Sequence, residues 1–276
     1  MKLLVTGGTG FIGGNFINLV PEEIEVFAIT RNKNKSKVKL NRNVNWIYKD
    51  LDSINSKDLE GIDAVIHFAS VGVSPQKATW EECYHFNVNC TLSLLRAAAE
   101  SGVKRIIMSG SYMEYGLSAN SHEYISASTA LLPTTAYASS KAAAFELAYA
   151  FCIEAKISLF YNRIFSVYGE GQFEGNLWPS LRKAALNHED FPMTNGEQIR
   201  DFISVEDVAF EFLQDIKSNM NDKFVPKVRN ICSGKGVSIL DFASTWWNIW
   251  NAKGKLLPGT IPSRKDELQR FVGEPK

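Results

Sequence analysis

Thr6-Gly7-Gly8-Thr9-Gly10-Phe11-Ile12-Gly13 decides how the rest of this chain is read. It follows a short β-rich run, Lys2 to Thr6, and opens a helical pattern from about Phe11 to Leu19. Glycines here let the main chain approach a pyrophosphate while the N-terminus of the following helix faces its charge. The stretch reads as G-x-G-x-x-G from Gly8 or as G-x-x-G-x-x-G from Gly7. Either match alone carries little; between a strand and a helix it points to a dinucleotide.

Working outward, the same rhythm continues. Glu25 to Thr30, Asn45 to Tyr48, Ala64 to Phe68, Arg105 to Ser109 and Ile157 to Ile164 read as strands. Trp80 to Ser101 reads as a long helix closed by Gly102, and Pro133-Thr134-Thr135 starts another over Ala136 to Ala155. Strands alternating with helices predict an α/β fold, a Rossmann-type doubly wound parallel sheet with a small C-terminal substrate-binding lobe. The lobe begins where Gly169, Gly171, Gly175 and Pro179 break the rhythm. On this reading residues 1–165 form the dinucleotide-binding domain, part of 199–232 returns to it, and 166–198 with 233–276 form the lobe. At 276 residues the chain has room for one large domain with such an appendage.

Thirty basic and 30 acidic residues, interspersed, give no charge that draws the protein to nucleic acid or an anionic membrane. Leu3-Leu4-Val5 is too short for a secretory core, and no run approaches the roughly 20 apolar residues of a spanning helix, so a cytoplasmic location is expected. Cys83, Cys90, Cys152 and Cys232 show neither close pairing nor a histidine cluster, so no metal site and no disulfide framework is expected.

The end of the second strand reads Thr30-Arg31, where NAD binders usually carry a carboxylate for the adenosine ribose. A guanidinium suits a 2′-phosphate that a carboxylate would repel. NADP(H) is therefore the expected cofactor, with Arg31 on the phosphate. NAD(H) stays open, since Arg31 can equally belong to the solvated basic loop Asn32 to Lys39.

Tyr137 and Lys141, four residues apart on one helix, project from one face. A free phenol ionises near pH 10, and a neighbouring ammonium favours the phenolate, so the pair is expected to act as acid or base. Ser111 stands just past the fifth strand at the carboxyl edge of the sheet, where such folds bind ligands.

Together these motifs resemble an extended short-chain dehydrogenase/reductase of the NAD-dependent epimerase/dehydratase family. Asp50-Leu51 resembles its adenine contact, His67-Phe68-Ala69 its cofactor-lining segment, and Asn87 the asparagine that holds its central helix. Arg163-Ile164-Phe165-Ser166-Val167-Tyr168-Gly169 and Arg200-Asp201-Phe202-Ile203 resemble the segments leading into its nucleotide-sugar site. The resemblance implies a catalytic group of Ser111, Tyr137 and Lys141. It implies a cofactor cradle of Gly7, Thr9, Gly10, Phe11, Ile12, Gly13, Arg31, Asp50, Leu51, Phe68 and Ala69, joined by Tyr137 and Lys141. Ser111, Tyr112, Asn176 and Arg200 would meet the nucleotide-sugar, with Arg200 on its diphosphate.

Within the family, 4,6-dehydratases carry an Asp-Glu pair directly after the serine or threonine; here Tyr112 and Met113 follow. The segment Ser109 to Gly116 and the compact length resemble the reductases that finish deoxysugars, and Pro262 to Val272 is compatible with them. The expected reaction is NADPH-dependent reduction of the 4-keto group of a nucleoside-diphosphate-linked 6-deoxyhexose for surface polysaccharide. A NAD-dependent nucleotide-sugar 4-epimerase and a non-catalytic dinucleotide sensor are the alternatives. Apolar residues round the helices at 80–101 and 136–155, among them Phe86, Leu92, Leu94, Leu95, Phe145, Leu147, Tyr149 and Phe151, lead to an expected homodimer through a bundle of four helices.

Overall fold

Near-continuous apolar runs such as Leu3-Leu4-Val5 and Ala64-Val65-Ile66 need cover on both faces, which a parallel sheet between helical layers supplies. The computed structural model describes residues 1–32, 36–73, 75–218, 224–262 and 268–274. The first half runs β1 (Lys2–Thr6), α1 (Phe11–Leu19), β2 (Glu25–Thr30), β3 (Asn45–Tyr48), β4 (Ala64–His67), α2 (Trp80–Tyr84), α3 (Cys90–Glu100), β5 (Arg105–Ser111) and α4 (Ala136–Glu154). Then come β6 (Ser158–Ile164), β7 (Ser166–Tyr168), α5 (Leu177–Asn187), β8 (Phe191–Met193), β9 (Ile199–Ser204), α6 (Val205–Lys217) and β10 (Lys227–Ile231). The chain continues through β11 (Gly236–Ser238), α7 (Ile239–Ile249), β12 (Leu256–Pro258) and β13 (Arg270–Phe271).

Seven strands form one sheet in the order β10-β6-β5-β4-β1-β2-β3. Every pairing in it is parallel. The order reverses at β1, the switch point beside which α/β folds bind their ligands. One face packs Val5 and Ile66 against Phe16 and Ile17 of α1 and Val208, Phe212 and Ile216 of α6. The other packs Leu4, Val65 and Ile106 against Leu94 and Leu95 of α3 and Ala148 and Cys152 of α4. A separate small sheet centres on β9, which pairs with β7, β11 and β13. Beside it α5 and α7 close over their own core of Leu181, Ala185, Met193, Ala243 and Trp247.

Three local readings are corrected. The helix expected over Trp80 to Ser101 changes pitch in its middle, where His85–Asn89 form a π-helical turn between α2 and α3. Strand β5 runs two residues further than expected, because Gly110 and Ser111 still pair with Arg163 and Ile164 of β6. Pro179 does not interrupt a loop; it lies in the first turn of α5, where the amide that proline lacks has no intrahelical partner anyway.

Candidate active site

The glycine loop folds as its sequence requires. Gly7 has φ +70, and a Cβ there would lie 2.7 Å from the Ala69 nitrogen. At Gly13 a Cβ would enter the Gly7 carbonyl group, 2.9 Å from its carbon. The loop is therefore pressed against the start of α1 and the end of β4, with no room for side chains. Gly10 is the N-cap of α1 and supplies no side-chain acceptor, so the first amides of α1 are left for an external oxygen. That cradle fits a dinucleotide pyrophosphate. Thr9 also receives the Lys37 amide on its carbonyl, which ties the basic loop to the cradle.

The remaining cofactor candidates line the same edge. Thr6 accepts the Ala69 amide on its hydroxyl, while the Phe68 ring turns into the core against Phe16 and Phe212. Leu51 is buried, and Asp50 opens a short 3-10 turn after β3. Arg31 and Asp50, both largely exposed, form an ion pair with Nε 3.7 Å from Oδ1. Such a pair contributes about 0–1 kcal/mol, so a phosphate can displace it. Lys33 and Lys35 of the basic loop lie outside the described residues.

Ser111 ends β5, and Tyr137 and Lys141 lie on the first turns of α4, whose N-cap Thr135 accepts the Ala138 amide. The Ser111 hydroxyl accepts the Met113 amide and stands near enough to the Tyr137 phenol to act on its ionisation. Lys141, buried, donates to the Ser109 carbonyl at 2.6 Å. The three side chains thus converge where β5 meets α4. The expected electrostatics need correction. Burial pushes the Tyr137 phenol well above its ordinary range, and Ser111 opposes this. Burial also pulls the Lys141 ammonium below its usual range, opposed by Glu114. In this state the phenol holds its proton, and the ammonium is aimed at a carbonyl.

Sequence reasoning gave no individual role to three supporting groups, although His67 lies in the segment marked as cofactor-lining. Glu114, fully buried, accepts the Ser111 amide at 2.7 Å, and Arg163 donates to it from Nε at 2.7 Å. His67, also buried, sits between the Thr6 and Thr91 hydroxyls at 2.6 and 3.0 Å. Cys83 of α2 is buried beside Ser140 and acts on the Tyr137 phenol. Asn87, singled out by its motif, receives the Val71 amide and donates to the Val71 carbonyl and the Ser140 hydroxyl, fixing α4 from within the π-helical turn.

The substrate candidates are placed less uniformly. Tyr112 packs against Phe165 and Phe271, with ring centroids 5.5 and 4.8 Å away, and so forms a wall next to Ser111. Asn176 is the N-cap residue of α5, and its side chain does not cap the helix. Arg200 departs from expectation. Its buried guanidinium donates to the main-chain carbonyls of Ile199, Leu268 and Gln269 and lies over the Phe271 ring. It clamps the C-terminal segment that carries the wall. Among the described residues, no group of three His, Cys, Asp or Glu is placed to hold a metal. No helix among them is long and apolar enough to cross a membrane.

Comparison with known proteins gives consistent matches. The family model described as NAD dependent epimerase/dehydratase family matches residues 3–231. A UDP-glucose 4-epimerase of Corynebacterium glutamicum is 29% identical over 267 residues, covering 87% of this chain and 77% of the relative. A CDP-abequose synthase of Salmonella muenchen is 25% identical over 270 residues, covering 97% and 87%. Among solved structures, MoeE5 in complex with UDP-glucuronic acid and NAD superposes with a TM-score of 0.86 at 27% identity, covering 99% of this chain and 90% of that one.

Proposed function

Because this chain belongs to the NAD dependent epimerase/dehydratase family of nucleotide-sugar enzymes, we propose that it is a reductase acting on the 4-keto group of a nucleoside-diphosphate-linked 6-deoxyhexose, with NADPH as reductant. The observation that carries this reading is the convergence of Ser111, at the end of β5, with Tyr137 and Lys141 on the first turns of α4, where the Lys141 ammonium donates to the Ser109 carbonyl. Reduction of a ketone needs a hydride and a proton. The dinucleotide held by the Gly7 to Gly13 loop supplies the hydride when bound. Tyr137 gives its Oη proton to the nascent alkoxide, and the Ser111 hydroxyl holds the same oxygen in line. Lys141, fixed by the Ser109 carbonyl, orients the nicotinamide ribose and keeps a positive charge beside the phenol as it loses its proton. Arg31 takes the 2′-phosphate in place of Asp50. Asn176 faces the substrate diphosphate, while Arg200 serves by anchoring the Tyr112 wall.

Elimination of water is disfavoured on the same geometry. Glu114, the carboxylate nearest in sequence after Ser111, is spent on Arg163 and the Ser111 amide. A NAD-dependent 4-epimerase is the second reading, favoured by the Corynebacterium relative and by Asp50, whose carboxylate can accept a ribose hydroxyl once parted from Arg31.

Incubation with NADPH or NADH and a panel of CDP-, dTDP-, GDP- and UDP-linked 4-keto and 4-hydroxy sugars tests the proposal. Loss of reduced nicotinamide absorbance with a keto-sugar is expected, faster with NADPH, and Tyr137→Phe should slow it by about 10²–10⁴-fold. Interconversion of 4-hydroxy epimers without net cofactor use would replace the reductase by the epimerase.

A further inference from the structure

We propose that Glu114 is a positioning residue for this reaction, fixing the end of β5 so that the Ser111 hydroxyl and the Tyr137 phenol address one carbonyl oxygen. The inference rests on the reading of Ser111, Tyr137 and Lys141 as the reacting group.

Two neighbouring strands meet on this one carboxylate. From β5, the Ser111 amide donates to Oε1 at 2.7 Å. From β6, the Tyr161 hydroxyl stands 2.9 Å from the same oxygen and 3.1 Å from the Lys141 carbonyl of α4. A phenol has one hydrogen to give, and the charged acceptor takes it. On the other side, Arg163 donates to Oε2 at 2.7 Å and reaches the Ala127 carbonyl at 3.0 Å. Its guanidinium also lies over the Phe145 ring of α4, 4.4 Å from the centroid. Glu114 thereby joins the strand that ends in Ser111 to the strand beside it and, through Arg163 over the Phe145 ring, reaches the helix that carries Tyr137 and Lys141.

A buried ion pair is weak evidence for stability, since an apolar pair of similar volume often serves the fold as well. Its place directly behind the reacting serine suggests a different task. A capping serine alone leaves the turn after β5 free to shift. The carboxylate removes that freedom by taking the serine's own amide. Its charge also reaches the reacting groups. The groups acting most on the Tyr137 phenol are Ser111, Tyr112 and Glu114 from the end of β5 and the turn after it, and Cys83 from α2. Glu114 raises the phenol, and it raises the Lys141 ammonium against the pull of burial. One residue thus fixes the serine and helps keep the proton where reduction needs it.

The test uses Glu114→Gln and the double variant Glu114→Gln/Arg163→Gln, in which no buried charge is left without its partner. Hydride transfer is followed in whichever direction the wild-type protein supports. In folded variants, NADPH affinity and KM are expected within about threefold of wild type, kcat lower by about a hundredfold, and the alkaline limb of the kcat profile moved to lower pH. A double variant that melts like wild type and keeps the wild-type kcat and alkaline limb would overturn the proposal, leaving the pair a packing feature. A wild-type protein that transfers no hydride to or from any sugar overturns the reading of the site itself, and the proposal with it.

Discussion

His67 carries the clearest pH consequence of any single residue. Held between Thr6 and Thr91 and buried, its ring is pushed from 6.5 down to about 3, first by desolvation and then by the Lys141 charge. The unfolded chain takes up a proton below 6.5 and the folded one does not. The neutral ring therefore costs nothing above pH 6.5, and stability is lost as pH falls from there toward 3, at about 1.4 kcal/mol per pH unit. By pH 5 the loss is about 2 kcal/mol. Denaturant midpoints measured from pH 7.5 to 5 should fall steeply for the wild type and more gently for His67→Asn; equal slopes would show that His67 does not govern acid sensitivity. At this scale, Ser111, Tyr137 and Lys141 were legible because strand-end position and helical spacing are local properties. Glu114 was not, because nothing near it in Tyr-Met-Glu-Tyr announces an arginine 49 residues away. The Tyr137 environment was misjudged for a related reason: helical spacing shows that two side chains share a face, and says nothing of what buries them.

At the scale of elements, the turn between β1 and α1 is the tightest constraint. Gly13→Ala would drive a methyl group into the Gly7 carbonyl and push α1 away from the loop, so the amides at its N-terminus no longer converge. Dinucleotide affinity should fall by more than about tenfold, equivalent to about 1.4 kcal/mol. Nicotinamide fluorescence titration checks this, with thermal melting as the control for folding. Retained affinity would mean that the loop does not hold the pyrophosphate. Strands and helices of the sheet were readable because their period and punctuation are written in the residues themselves. The π-helical turn at His85–Asn89 was not, since the bonds of Asn87 to Val71 and Ser140 that accompany it are tertiary and leave no mark on local spacing. The extra length of β5 likewise comes from β6 beside it.

For the molecule as a whole, the proposed homodimer is argued from different residues than periodicity suggested. Leu94 and Leu95 are spent in the chain's own core, and Phe86, Phe145, Leu147 and Phe151 pack partly against it. Trp80, Tyr84 and Ile153 are the large apolar side chains of α2 and α4 that remain well exposed, at 54%, 37% and 46%. Sedimentation at micromolar concentration should show a dimer, and Trp80→Glu should shift it toward monomer; a monomeric wild-type protein would remove the dimer from the proposal. The small lobe was the least legible part, because short strands from distant stretches converge on β9. One of them has a consequence for synthesis. Phe271 backs Tyr112, Ile125 exchanges main-chain hydrogen bonds with Val272 and Glu274, and Gly273 reaches the Asp201 carboxylate. A nascent polypeptide halted on the ribosome before Leu268 would already own its glycine loop and Tyr137, yet the flank beside Ser111 would stand open. On the proposed reading, capacity to hold a dinucleotide would come first in the birth of this protein, and sugar discrimination would await the stretch from Leu268 to Glu274.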